Sequence, residues 1–151
     1  MLRVVAVAIL ASTSSSCSDP AKAVIFPADY AATYTEVRNC RMSVEHGPVN
    51  IRVLAAPDAL DAYTTRAAPF STGAILLKEE YPEGDTTCAG PLKAWTVMEK
   101  LDDGSAPAAL DWHWQKVDAK RHVLTDNDQT CIACHMNCAP PSGYLNTCTE
   151  P

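Results

Sequence analysis

Residues 131–138 read CIACHMNC, and the first five of them form a C-x-x-C-H motif. Two thiols three positions apart on one turn can each add across a vinyl group of haem, and the adjacent histidine is then delivered to the iron. A chain that carries this motif has to fold around a large flat group. One imidazole nitrogen of His135 becomes the axial ligand, and the other is expected to donate to a fixed acceptor. A zinc site would recruit Cys138 as a fourth ligand beside Cys131, Cys134 and His135. Cys134 and His135 are neighbours in the chain, which is awkward for one tetrahedral ion. A dithiol redox pair belongs after a strand and at the start of a helix, and the sequence predicts no strand directly before the motif. Covalently attached haem c, one per chain, is therefore the favoured reading, with His135 as the iron ligand and zinc or a plain disulfide as minor alternatives.

The chain has seven cysteines. The motif uses Cys131 and Cys134. Cys17 belongs to an N-terminal stretch, MLRVVAVAILASTSSSCSDP, that has an early Arg3, an apolar run too short to span a bilayer, and then small residues. Residues 1–17 are read as a secretory leader, 18–27 as a linker and 28–151 as a single domain. Cys17 stands where bacterial lipoproteins carry their lipidated cysteine, although Ser14 replaces the usual leucine-like residue. Membrane attachment through Cys17 and ordinary cleavage near Ser16 or Ser18 are the two outcomes. Both place the mature chain in the periplasm or cell envelope, where disulfides persist. Cys40, Cys88, Cys138 and Cys148 remain, and four cysteines allow three pairings. Cys138 with Cys148 and Cys40 with Cys88 are favoured, each adding about 2–4 kcal/mol of stability.

Eighteen acidic residues against 12 basic ones give a formal net charge of −6, and loss of Arg3 makes the mature chain more acidic still. Such a surface repels nucleic acid, and no basic run or glycine-rich phosphate loop is present. Tyr30, Tyr34, Val37 and Arg41 recur at helical spacing after Pro27, predicting an amphipathic helix over roughly residues 28–40. VNIRVLAA alternates as a half-buried strand, and DALDAY reads as a short helix. STGAILLKEEY is a strand with two apolar faces, one of which ends unexpectedly in Lys78. LKAWTVMEKL and LDWHWQKV supply two more strands across the turn-rich DDGSAPA. The expected fold is α+β and predominantly β: an antiparallel sheet with a flanking N-terminal helix and a loop-rich C-terminal haem-attachment segment.

The succession TEVRNCR, FSTGAILLKEEY, WTVMEKL, DWHWQKVD and a terminal CIACH resembles the cytochrome P-460 family over roughly residues 28–150. The resemblance implies a small, β-rich, exported mono-haem protein, usually a homodimer. Some members oxidise hydroxylamine and pass the electrons to a redox partner protein, while the related beta-type cytochromes c-prime bind nitric oxide or carbon monoxide. It further implies that Lys78, the lysine in the strand preceding a terminal CxxCH, bonds to the porphyrin edge, and that an acidic residue serves as base at an open iron. Glu99 is the leading candidate for that base, with Asp111 second. The alternative is an electron-transfer cytochrome with a closed, six-coordinate iron. His113 would be its first candidate ligand, followed by His46, His122, Met98 and Met136. A zinc-stabilised envelope protein is the third class.

Overall fold

Alternating apolar residues and short turns produce strands that each pair with their neighbour in sequence. The computed structural model describes residues 22–138 and 144–148, so residues 1–17, read above as a leader, and with them Cys17, lie outside the described residues. Its elements are α1 (Tyr30–Thr33), β1 (Thr35–Ser43), β2 (Val49–Ala55), α2 (Pro57–Thr65), β3 (Ile75–Pro82), β4 (Ala94–Lys100), β5 (Trp112–Asp118), β6 (Val123–Asp126) and α3 (Gln129–His135), with a 3-10 turn at Pro107–Ala109. The six strands form one antiparallel sheet in the order β1-β2-β3-β4-β5-β6. The mostly β architecture agrees with the sequence reading, as do the strands at VNIRVLAA, AILLKEEY, AWTVMEK and WHWQKV and the helix at DALDAY.

The N-terminal helix is shorter than its spacing suggested. Only Tyr30–Thr33 is helical, and the chain from Thr35 onward becomes the edge strand β1, irregularly paired with β2 between Glu36 and Arg41. Tyr30 and Tyr34 still meet, with ring centroids 6.1 Å apart. The β-branched Thr35 and Val37 suit a pleated strand, and β2 offers them a ladder that a lone helix turn lacks. The CxxCH motif of the C-terminal segment lies on the short helix α3, which puts its two thiols one turn apart.

Register decides which side chains share a face. Lys78 stands opposite Val53 on β2 and Thr96 on β4, and Thr96 stands opposite Lys116 on β5. Leu76, Met98 and Trp114 form the next row of this face. The other face carries Arg52, Glu79, Trp95 and Val117, then Ile75, Glu99 and His113. The N-terminal segment packs there: Phe26 and Tyr30 meet Trp95 at 5.4 and 6.0 Å between centroids, and the Arg121 guanidinium sits 4.4 Å from the centre of the Phe26 ring. Glu79 is buried among them. It accepts hydrogen bonds from the hydroxyls of Tyr30 (2.6 Å) and Tyr81 (2.8 Å) and pairs with Arg52.

Cys40 is bonded to Cys88 and Cys138 to Cys148, the pairing favoured from the sequence. The first bridge ties the edge strand to the loop after β3, and the second closes the tail after α3. No helix among the described residues is long and apolar enough to cross a membrane. Replacing Cys40 and Cys88 together by serine should lower the unfolding free energy by about 2–4 kcal/mol, read as a fall in urea midpoint with an unchanged haem-to-protein ratio.

Candidate functional site

Helix α3 begins with Asp128, whose side chain accepts a hydrogen bond from the Thr130 amide at 2.8 Å and caps the first turn. The helical period then puts Cys131, Cys134 and His135 on one side, three and four positions apart. Cys131 and Cys134 are the two cysteines left outside disulfides among the described residues. Burial, with Asp128 adding to it, raises the pKa of the Cys131 thiol. His135 is buried against Trp114, with 4.5 Å between ring centroids. Its Nδ1 donates to the carbonyl oxygen of Asn146, and Asn146 Nδ2 donates in return to the carbonyl of His135 at 3.1 Å. Burial lowers the pKa of His135 to about 4 against the raising effect of the Asn146 carbonyl, so the ring is neutral at ordinary pH. A neutral imidazole that donates through Nδ1 presents an unprotonated Nε2.

These residues line a cavity of about 750 Å³, open mouth included, on the face of the sheet that carries Leu76, Met98 and Trp114. Lys78 lines it too, only 9% exposed, where a strand-end lysine would ordinarily extend its ammonium into solvent. Its Nζ lies 2.8 Å from Nε2 of His46, which enters from the turn between β1 and β2 together with Glu45. Burial lowers the pKa of Lys78 to about 8, partly offset by Glu80 and then Glu45. Of the two carboxylates that follow it in sequence, Glu79 points to the opposite face, and Glu80, on the same face, pairs with Lys116 at 2.8 Å.

The donor set fits haem c. Two unpaired thiols one helical turn apart, a neutral imidazole with its second nitrogen committed, and apolar walls are what covalent attachment and axial ligation need. It does not fit zinc. His135, Cys138 and Cys148 have donor atoms within 4.8 Å of one another, but the two sulfurs are bonded together and supply no thiolate.

The structure groups Lys78 with Cys131, Cys134 and His135 and separates Glu99 from them. Glu99 shares a face with Trp95 and Val97, and that face is turned away from Lys78, so its carboxylate lies on the wrong side of the sheet to act as a base in this cavity. It sits 3.5 Å from Nδ1 of His113, whose Nε2 meets Asp126 at 2.7 Å, which removes His113 as a ligand for the same reason. Asp111 is occupied in a turn, accepting from the amides of Gly104 and Ala106. His122 pairs with Asp118 at the surface, and Met136 is exposed. Met98 and His46 do line the cavity. Glu79 and Glu80, which follow Lys78 in sequence, are its candidate ion-pair neighbours, and of the two only Glu80 shares the strand face of Leu76 and Lys78.

A family model described as Cytochrome P-460 matches residues 27–141. No curated protein matches the chain.

The environment of Lys78 has a consequence for stability wherever its amine remains free. Its folded pKa of about 8 lies below the ordinary 10.5, so between these values the unfolded chain holds a proton that the folded chain has released. Stability then rises with pH across that window. Relative to Lys78→Met, the wild type should gain on the order of 3 kcal/mol between pH 8 and 10.5, measured as the difference of the two proteins' urea midpoints on the haem-free chain, in which the Lys78 amine is free.

Proposed function

The chain belongs to the cytochrome P-460 family and is a c-type cytochrome with covalently attached haem; from that premise we propose that it is an exported mono-haem protein that oxidises, or binds, a small nitrogen compound such as hydroxylamine or nitric oxide at an open iron position. The observation that carries this reading is the burial of the Lys78 amine in the same cavity as Cys131, Cys134 and His135. Haem supplies an iron that binds such a ligand and takes electrons from it.

In this reading the chain's residues divide the remaining work. The sulfurs of Cys131 and Cys134 hold the ring through thioethers. His135 offers Nε2 to the iron, with its orientation fixed by the Asn146 carbonyl and by the Trp114 ring beside it. Lys78 would hold the porphyrin edge through Nζ: a C–N bond replaces one ring C–H bond, and the two protons and two electrons released go to an external two-electron oxidant of the peroxide class. A lowered pKa makes its neutral, nucleophilic amine accessible near neutrality, a state a guanidinium would not reach. Ring distortion by such a bond is one of the means by which a protein adjusts haem reactivity. The base that takes protons from a nitrogen substrate belongs on this face of the sheet, and the carboxylate lining the cavity there is Glu45, in place of Glu99. Oxidation of such a compound would require a redox partner protein to take up the electrons released. A leader that ends near Cys17 places this chemistry in the periplasm or at the cell envelope.

Protein matured in a host competent for c-type attachment should keep its haem through acid-acetone extraction. Its ferrous absorption should lie well to the red of ordinary haem c. Lys78→Ala should retain the haem, revert to an ordinary c-type spectrum and lose hydroxylamine oxidation, and Lys78→Arg should behave likewise. Coincident spectra for wild type and Lys78→Ala would leave a gas-binding cytochrome without the ring bond. Quantitative extraction of haem from the unmodified protein would end the c-type assignment of Cys131 and Cys134.

A further inference from the structure

Glu80 is 2% exposed, and its two oxygens are treated differently. Oε2 meets the Lys116 ammonium at 2.8 Å, while Oε1 is buried without a hydrogen-bond partner. A buried carboxylate oxygen left without a donor is expensive and calls for an explanation. The nearest answer on the same face is His46, whose Nδ1 lies 3.8 Å from Oε1 and whose Nε2 lies 2.8 Å from Nζ of Lys78. One imidazole thus stands between a buried amine and a buried carboxylate.

The protonation of the ring follows from its two neighbours. Burial, then the Lys78 charge, hold the pKa of His46 down at about 3, so the ring is neutral. An amine donating to Nε2 leaves the single ring proton on Nδ1, the nitrogen that faces Glu80. The ring dipole is then aligned between the positive and negative ends of the row. The local backbone serves this placement: Gly47 takes φ +80° and its amide donates to the Val44 carbonyl at 3.1 Å, folding the turn so that His46 overhangs β3.

We propose that His46 is a positioning residue that holds the Lys78 amine at the cavity wall, its own ring oriented by Glu80 on the same face of β3. The inference rests on the reading of Lys78 as the group that faces the haem. It adds that Lys78 is placed by a residue from a distant turn and not by its own strand alone. The hydrogen bond is made at Nε2, so a side chain whose amide reaches that point replaces histidine, and one that stops at the Nδ1 position does not.

The test compares His46→Gln, His46→Asn and His46→Leu with wild type as matured holoproteins, each checked for covalent haem. The proteins are treated with acetic anhydride, and peptide mass spectrometry gives the fraction of Lys78 bonded to porphyrin and the acetylation rate of the remainder, with the exposed Lys93 as internal standard. In wild type Lys78 should be ring-bonded or acetylated far more slowly than Lys93. His46→Asn and His46→Leu should lower the bonded fraction and raise the acetylation rate of free Lys78 about tenfold, the worth of one hydrogen bond to a charged group. His46→Gln should stay close to wild type. The Asn and Gln variants are both small polar amides at a turn, so a merely structural role for His46 would not separate them. Equal Lys78 protection in all four proteins, or wild-type Lys78 acetylated as fast as Lys93, overturns the proposal. A wild-type Lys78 that is free of porphyrin but protected removes the ring bond from the functional reading and leaves the role of His46 to be decided by the acetylation rates alone.

Discussion

Three consecutive charged side chains, Lys78, Glu79 and Glu80, are buried in an interior strand of the sheet, and the rest of the molecule is arranged around that fact. An ion taken out of water without a partner costs several kcal/mol, so each of the three needs a compensating group. The pleat sends them to alternate faces, and both faces must therefore supply one. Glu79 receives two tyrosine hydroxyls and Arg52, and this requirement pins the N-terminal segment, through Tyr30, to the sheet. Glu80 receives Lys116 from two strands away. Lys78 receives a neutral histidine, the weakest compensation of the three, and its pKa falls accordingly. Ionisable groups left in this condition inside a cavity are characteristic of chemical sites rather than of structural ion pairs.

The opposite wall of the cavity depends on a different economy of contacts. Helix α3 is short and makes its hold on the sheet through Ile132, which is almost fully buried, and through His135 against Trp114. The tail then returns across it. Asn146 fixes the imidazole, the Leu145 carbonyl accepts from the Trp112 indole at 3.2 Å, and the Tyr144 hydroxyl donates to the Ala68 carbonyl at 2.7 Å. The Cys138–Cys148 bridge closes this return over ten residues, so the orientation of His135 is set by covalent closure as well as by hydrogen bonds.

Much of this was legible in the sequence because the signals were local. The alternation in VNIRVLAA and AILLKEEY gave strands, the turn residues in DDGSAPA separated β4 from β5, and the CxxCH spacing brought two thiols and an imidazole to one side of a helix. What escaped was relational. Tyr30, Tyr34 and Val37 satisfy a helical period as well as the start of an edge strand, and pairing with β2 decided between them. Glu99 was correctly placed on the face of Trp95, but whether Lys78 shares that face depends on the register between β3 and β4, which no single strand encodes. His46 lies in a turn whose reach over the sheet cannot be read from composition.

The sheet is a meander in which every strand pairs only with its neighbour in the chain, and the motif helix follows the last strand. Short-range pairing of this kind closes small loops and assembles early. In chain order, the strands bearing Lys78, Met98 and Trp114 precede the residues that will anchor the ring, and the bridge from Cys40 to Cys88 spans only this earlier portion. One half of the receptacle is therefore built from pairings that do not involve the attachment segment. Thioether formation would then fasten the final helix onto a platform whose strand pairings lie wholly within the preceding chain.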